Sequence, residues 1–188
     1  DLLGFESELI PFYLVDMIGS FSYGASSSIL YGLLVDGLGF NTVQLGLMST
    51  LFGLSWGLSQ IPVGWMMDRY GRRAFLLLSQ MANMIVMSGY ISSRDFHLFL
   101  LLQIFSGMAH AMWIPAHIAL VAERVPEYRR SLALGKISTY PLLLGIPAPY
   151  IGGLLYMHLG FPAPMMLRLL SLLLSFLIIL LFIEERGR

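Results

Sequence analysis

Six long apolar stretches separated by short polar breaks run through this chain of 188 residues, at positions 10–34, 42–63, 74–91, 96–122, 131–157 and 164–183. Each is close to the roughly 20 apolar residues that a helix needs to cross a bilayer, and the breaks are short enough to join neighbouring helices. Within hydrocarbon every backbone N–H and C=O must find a partner inside the protein, and runs of this length do so as helices. The expected fold is an all-α membrane protein with six transmembrane helices, a single domain over residues 1–188.

The balance of residue types agrees. Apolar residues make up 57% of the chain and charged ones 12%, with a mean hydropathy of +0.76, whereas soluble domains carry about 25% charge. An ordinary soluble domain and a disordered chain are both excluded. Eleven Lys and Arg offset eleven Asp and Glu, so no net basic field is available for nucleic acid. Without cysteine there is no disulfide framework, thiol nucleophile or thiolate metal site. The histidines lack H-E-x-x-H or H-x-x-E-H spacing, and neither a metal nor another cofactor is expected. The first stretch has no basic leader or clean apolar core before a cleavage site, so it reads as a span rather than a signal peptide. A start at Asp1 instead of methionine points to a chain trimmed from a longer one.

The charges are segregated. Arg69, Arg72 and Arg73 follow the second stretch; Arg124, Arg129, Arg130 and Lys136 surround the break after the fourth; Arg186 and Arg188 close the chain. The alternate breaks hold only Asp36, the Arg94–Asp95 pair and His158. Under the positive-inside rule both termini are cytoplasmic, as six spans require. Lys136 and Arg168 are expected to snorkel to the cytoplasmic and outer surfaces. Pro115, Pro141, Pro147 and Pro149 are expected to bend spans 4 and 5.

The break after span 2 reads Gly64-Trp65-Met66-Met67-Asp68-Arg69-Tyr70-Gly71-Arg72-Arg73. Gly71 allows a tight turn with positive φ, and Gly64 allows close helix approach. Arg69, Arg72 and Arg73 would anchor the turn at an anionic surface, and Asp68 could cap a helix or pair with an arginine. This run resembles the G-x-x-x-D-R-x-G-R-R signature of the major facilitator superfamily. A second likeness, Ala122-Glu123, Pro126, Arg130, Ala133 and Gly135, is similar to the family's pattern after span 4 and implies cytoplasmic support roles for Glu123 and Arg130. A third, Ala148-Pro149-Tyr150-Ile151-Gly152-Gly153, is similar to the G-P-x-x-G-G element of the family's exporters, with Ala148 in place of its first glycine. The same residues also read as a small-residue packing face. In the family's R-x-x-Q-G pattern of span 4, Gly107 and Pro115 match, but Gln103 stands where the arginine belongs.

Transporters of this superfamily normally have twelve spans in two six-span halves. The resemblance therefore implies one half, of the N-terminal type, built as a 3+3 inverted repeat. Spans 1 and 4 would line a central cavity, spans 2 and 5 would contact the other half, and spans 3 and 6 would face lipid. The implied partners are the lipid bilayer of the cell membrane, a small-molecule substrate, and a second six-span bundle, either the missing half or another copy in a homodimer.

Polar residues agree with that cavity. Asp16, Ser20, Tyr23, Ser27 and Tyr31 recur at three- and four-residue steps, forming one stripe on span 1. Gln103, Ser106, Gly107, His110 and His117 do so on span 4, flanked by Trp113. Span 1 runs outward and span 4 inward, so about 1.5 Å of rise per residue sets Asp16 level with His117 and Tyr23 level with His110. A lone carboxylate in a bilayer costs at least about 2.5 kcal/mol, so Asp16 needs a cavity, a partner or a proton. One reading makes Asp16, with His110 or His117, a proton-coupling site. The other makes Asp16 an acid near a helix N-terminus, and the histidines structural hydrogen-bonding groups. Ser20, Tyr23, Ser27, Gln103 and Trp113 are the expected substrate-cavity residues.

Gly24-Ala25-Ser26-Ser27 lacks the final glycine of a G-x-S-G intramembrane-protease nucleophile, and no channel filter sequence is present, so an enzyme is not expected. The resemblance implies secondary active transport of a small organic solute, ion- or proton-coupled, as symport or antiport, by rocking of two bundles. The alternative is a transport-dead half serving as an assembly module.

Overall fold

The computed structural model describes residues 6–184, and Arg186 and Arg188 lie outside that range. All regular structure among the described residues is helical. The helices are α1 (Ile10–Gly32), α2 (Thr42–Tyr70), α3 (Arg72–Ser92), α4 (Phe96–Ala122), α5 (Arg130–Gly145), α6 (Ala148–Leu159) and α7 (Pro162–Phe182).

Local chemistry sets their ends. Asn41 and Gln44 form a reciprocal capping box at the start of α2, each side chain accepting from the other's backbone N–H at 2.9 Å. Asp95 caps α4 by accepting from Leu98 N at 3.1 Å. Gly71 alone joins α2 to α3 at φ +97, a conformation that a side chain would strain. Helix α2 continues to Tyr70, through most of the Gly64–Arg73 signature.

Four segments are long and apolar enough to cross a membrane: Arg72–Ser92, Phe96–Ala122, Glu127–Leu159 and Pro162–Phe182. Helices α1 and α2, of 23 and 29 residues, match them in length but carry more serine, glycine and other polar residues. The fifth apolar stretch, read as one bent span, is broken into α5 and α6. Pro147 has no N–H to continue the hydrogen-bond ladder at this point. Helix α4 passes Pro115 without a break.

Helix α1 packs on α5, α6 and α7, whereas α4 packs on α2 and α3; α3 and α7 join the two groups. Two close crossings hold this arrangement. A Cβ at Gly107 would lie 2.5 Å from the Phe52 carbonyl of α2, and one at Gly152 would lie 2.0 Å from the Ala25 carbonyl of α1. Gly152 thus belongs to a packing face, as one reading of its motif expected. Gly64 makes no close crossing within this bundle: a Cβ there would meet nothing within 4 Å.

Buried apolar side chains form two clusters. One joins Phe12, Val63, Met67, Phe75, Leu120 and Ile179 near the α2–α3 turn, and the other joins Leu34, Met48, Val86, Tyr90 and Phe99 at the opposite end. Polar residues occupy the middle of the bundle between them.

Helices α3 and α7, expected to be lipid-facing and largely apolar, also present polar faces inward. Gln80 and Ser79 of α3 and Ser171 and Ser175 of α7 are buried, because these helices pack on each other and flank the middle layer. Their outer faces still expose Ile85, Leu170, Leu173 and Leu177.

Candidate functional site

The middle layer holds a partly open cavity of about 660 Å³. Helix α1 supplies Asp16, Ser20 and Tyr23 to its wall, and α4 supplies His110, Trp113 and His117. This follows from the helical spacing that gathers each set on one face. Helices α3 and α7 add Gln80, Asn83 and Arg168. A smaller adjoining cavity of about 220 Å³ takes in Ser27, Tyr31 and Gln103, and shares Tyr23, Asn83 and Arg168 with the first. The expected cavity residues are thus divided, with Ser20 and Trp113 at the larger space and Ser27 and Gln103 at the smaller.

His117 Nε2 lies 2.9 Å from Asp16 Oδ2, and both side chains are largely buried. The contact is a close approach without a directed hydrogen bond from His117 Nε2. Trp113 stacks on the His117 imidazole with centroids 5.2 Å apart, and Phe12 meets it edge-on at 5.5 Å. The imidazole is therefore held beside the carboxylate by rings on two sides. His110 sits apart from this pair, edge-on to Trp56 at 5.1 Å and to Phe52 at 5.6 Å. Asp16 and His117 are brought together, and His110 lines the same cavity without joining them.

Arg168 departs from the surface position expected of it. Its Nη1 donates to Gly19 O at 2.9 Å and to Ser22 Oγ at 3.0 Å, and its guanidinium lies 5.6 Å from the Tyr23 ring centroid. Ser22 and Ser171 hydroxyls share a 2.5 Å hydrogen bond beside it. Arg168 points inward because α7 packs against α1 at this level and offers it backbone and hydroxyl acceptors. The stripes on spans 1 and 4 do not point to Arg168, Gln80 or Asn83, which also line the cavity. The available signal was a polar residue within a strongly apolar run, which position alone assigned to a surface.

Lys136 also turns inward. It is buried, and its Nζ donates to Glu6 Oε1 at 2.9 Å, a partner 130 positions away in sequence. Burial alone would raise the Glu6 carboxyl, but hydrogen bonds from Lys136 and from Tyr13 hold it below the ordinary carboxylate range.

At the α2–α3 turn the signature residues meet the end of α4. Arg72 forms an ion pair with Glu123 and lies 3.9 Å from Asp68. Arg73 Nη2 donates to Leu180 O at 2.6 Å, and Arg130 Nε donates to Ala122 O at 3.0 Å, satisfying exposed carbonyls at helix ends. Arg69 lies over Trp65 and Tyr70, at 5.7 and 5.8 Å. Asp68 does not cap α3, whose first turn has no side-chain cap.

A bundle of bilayer-length helices around a cavity that carries ionisable side chains is the architecture of a multi-pass membrane protein. Residues 13–188 match the Major Facilitator Superfamily, and the chain belongs to that superfamily. It is 28% identical over 174 residues to the "Multi-drug resistance efflux pump PmrA" of Streptococcus pneumoniae, covering 89% of this chain and 43% of that protein. It is 30% identical over 179 residues to the "Multidrug resistance protein MdtG" of Salmonella paratyphi B, covering 91% of this chain and 44% of that protein. The chain spans less than half the length of these curated relatives.

Proposed function

We propose that this chain is one six-span half of a secondary transporter that moves a small organic solute, with proton movement coupled through Asp16 and His117. The observation that carries this reading is the 2.9 Å approach of these two groups on the wall of the 660 Å³ cavity. Adding or removing one proton there changes the cavity's charge by one unit. Any solute whose binding depends on that charge is thereby linked to protonation, and the linkage is reciprocal.

The packing pattern supports a 3+3 inverted repeat. Taking α5 and α6 together as span 5, α1 packs on spans 5 and 6, and α4 packs on spans 2 and 3. Exchanging spans 1, 2 and 3 with spans 4, 5 and 6 leaves this pattern unchanged. The arginine-rich α2–α3 turn supports a cytoplasmic placement for that end and for both termini.

A second bundle completes the cavity. Gly46, Gly53, Gly57 and Gly64 fall on one face of α2, and a Cβ at any of them would meet nothing within 4 Å. Val43, Leu58 and Ile61 of α2, Leu142 of α5, Ile146 of the break after it and Tyr150 of α6 are also exposed. Open glycines along a membrane helix suit close approach of another helix. Spans 2 and 5 are accordingly the face for the missing half or for a second copy, and the bundles rock about it. The names of PmrA and MdtG point to drug-like organic solutes and to export.

The test is reconstitution of the chain with its second bundle in vesicles carrying an imposed pH gradient and a pool of organic solutes. Gradient-driven flux of a solute supports the proposal. Absence of such flux across the pool, with the assembled protein intact, contradicts it.

A further inference from the structure

Arg168 is a cation deep in a membrane bundle with no carboxylate paired to it among the described residues. Its position at both cavities is what makes it informative.

A guanidinium carries five N–H donors in a planar fork. Here only Nη1 is engaged, by Gly19 O and Ser22 Oγ. The acceptors on α1 fix one edge of the fork, Nε and Nη2 have no hydrogen-bond partner among the described residues, and Arg168 lines both cavities. Tyr23 supports the guanidinium without supplying an acceptor for those donors. A buried charge is costly unless it is paired, and a fork with one free edge matches the two oxygens of a carboxylate. Asp16, on the same cavity wall, already has His117 beside it at 2.9 Å.

We propose that the cavity takes organic anions, with the solute's carboxylate seated on Nε and Nη2 of Arg168 and its apolar body against Tyr23, Phe52 and Trp113. Ser22 and Ser171 hold the arginine in place, and their 2.5 Å hydrogen bond locks α1 to α7 at that point. The solute class rests on the transport reading above for its movement, but its binding does not require movement.

The experiment compares three probes of one aromatic frame, 2-naphthoate, its methyl ester and 2-naphthylmethylammonium. Binding to the chain assembled with its second bundle in phosphatidylcholine nanodiscs is read by calorimetry and by quenching of tryptophan fluorescence. Naphthoate is expected to bind at least about tenfold more tightly than the ester or the ammonium. Arg168→Gln is expected to erase that preference. Arg168→Lys is expected to keep part of it, because an ammonium supplies charge without the fork.

A wild-type chain that binds ester or ammonium as tightly as naphthoate, or does not bind naphthoate, overturns the proposal without recourse to any variant. So does an Arg168→Gln chain, folded by its unfolding profile, that keeps the full preference. Gradient-driven flux of the ammonium without anion preference would remove this inference and leave the transport reading standing. Anion preference in binding with no gradient-driven flux of any probe would do the reverse.

Discussion

Two adjacent glycines on α6 are expected to respond in opposite directions to the same substitution. Gly152 faces α1 so closely that a Cβ would lie 2.0 Å from the Ala25 carbonyl oxygen, with the Ala25 carbonyl carbon at 2.7 Å. Ordinary contact begins near 3.4 Å, so the helices must separate locally by about 1.4 Å to admit one methyl group. Both nearest atoms are backbone, and no side chain can rotate away. Overpacking of this kind costs about 1–3 kcal/mol. Alanine's better helix propensity returns up to about 1 kcal/mol, so Gly152→Ala should be destabilising by up to about 2 kcal/mol net. At Gly153 a Cβ meets nothing within 4 Å, only the propensity gain applies, and Gly153→Ala should stabilise the bundle by about 0.5–1 kcal/mol. Thermal unfolding of each purified variant in detergent, followed by tryptophan fluorescence, gives the comparison. Equal or reversed midpoints for the two variants would refute the close-crossing argument.

Other perturbations probe different parts of the molecule. Replacing Gly53 and Gly57 together by leucine should leave unfolding of the single bundle no less stable, while reducing its association with a second bundle in a detergent sedimentation measurement. Glu6 is held below the ordinary carboxylate range when folded, so its contribution is present above its unfolded pKa and lost as pH falls through the lower folded value. Unfolding midpoints measured across pH should therefore place Glu6→Gln below the unsubstituted chain at neutral pH, with the difference closing in acid. Arg72 and Glu123 are each about one-third exposed, and a double-mutant cycle should find a coupling of no more than about 1 kcal/mol that weakens with added salt.

The contrast between Asp16 and Arg168 shows what could be read from sequence and what could not. Asp16 and His117 lie on amphipathic stripes of two helices that run in opposite directions. Helical period and rise per residue are enough to set them at one depth. Their 2.9 Å approach realises that arithmetic. Arg168 gives no such cue, since a cation six residues into α7 could equally reach a surface. Its true position depends on how α7 is rotated against α1, which is decided by packing and by the Gly19 carbonyl 149 positions away. Lys136 fails for the same reason, its partner Glu6 lying at the far end of the chain. The turn at Gly71 was legible because a positive φ is a local demand, met at φ +97. The break between α5 and α6 was only half legible: the prolines marked the place, but whether a membrane helix bends or restarts there depends on what neighbouring helices offer its freed carbonyls.

The central claim is that protonation at the Asp16–His117 pair is coupled to solute movement. Its most direct test is solute flux driven by a pH gradient through the assembled transporter, compared between the unsubstituted protein and Asp16→Asn. Asparagine keeps the shape and removes the titrating group. The account predicts that solute still exchanges down its own gradient but that the pH gradient no longer drives it. Gradient-driven flux with unchanged pH dependence in Asp16→Asn would contradict the account.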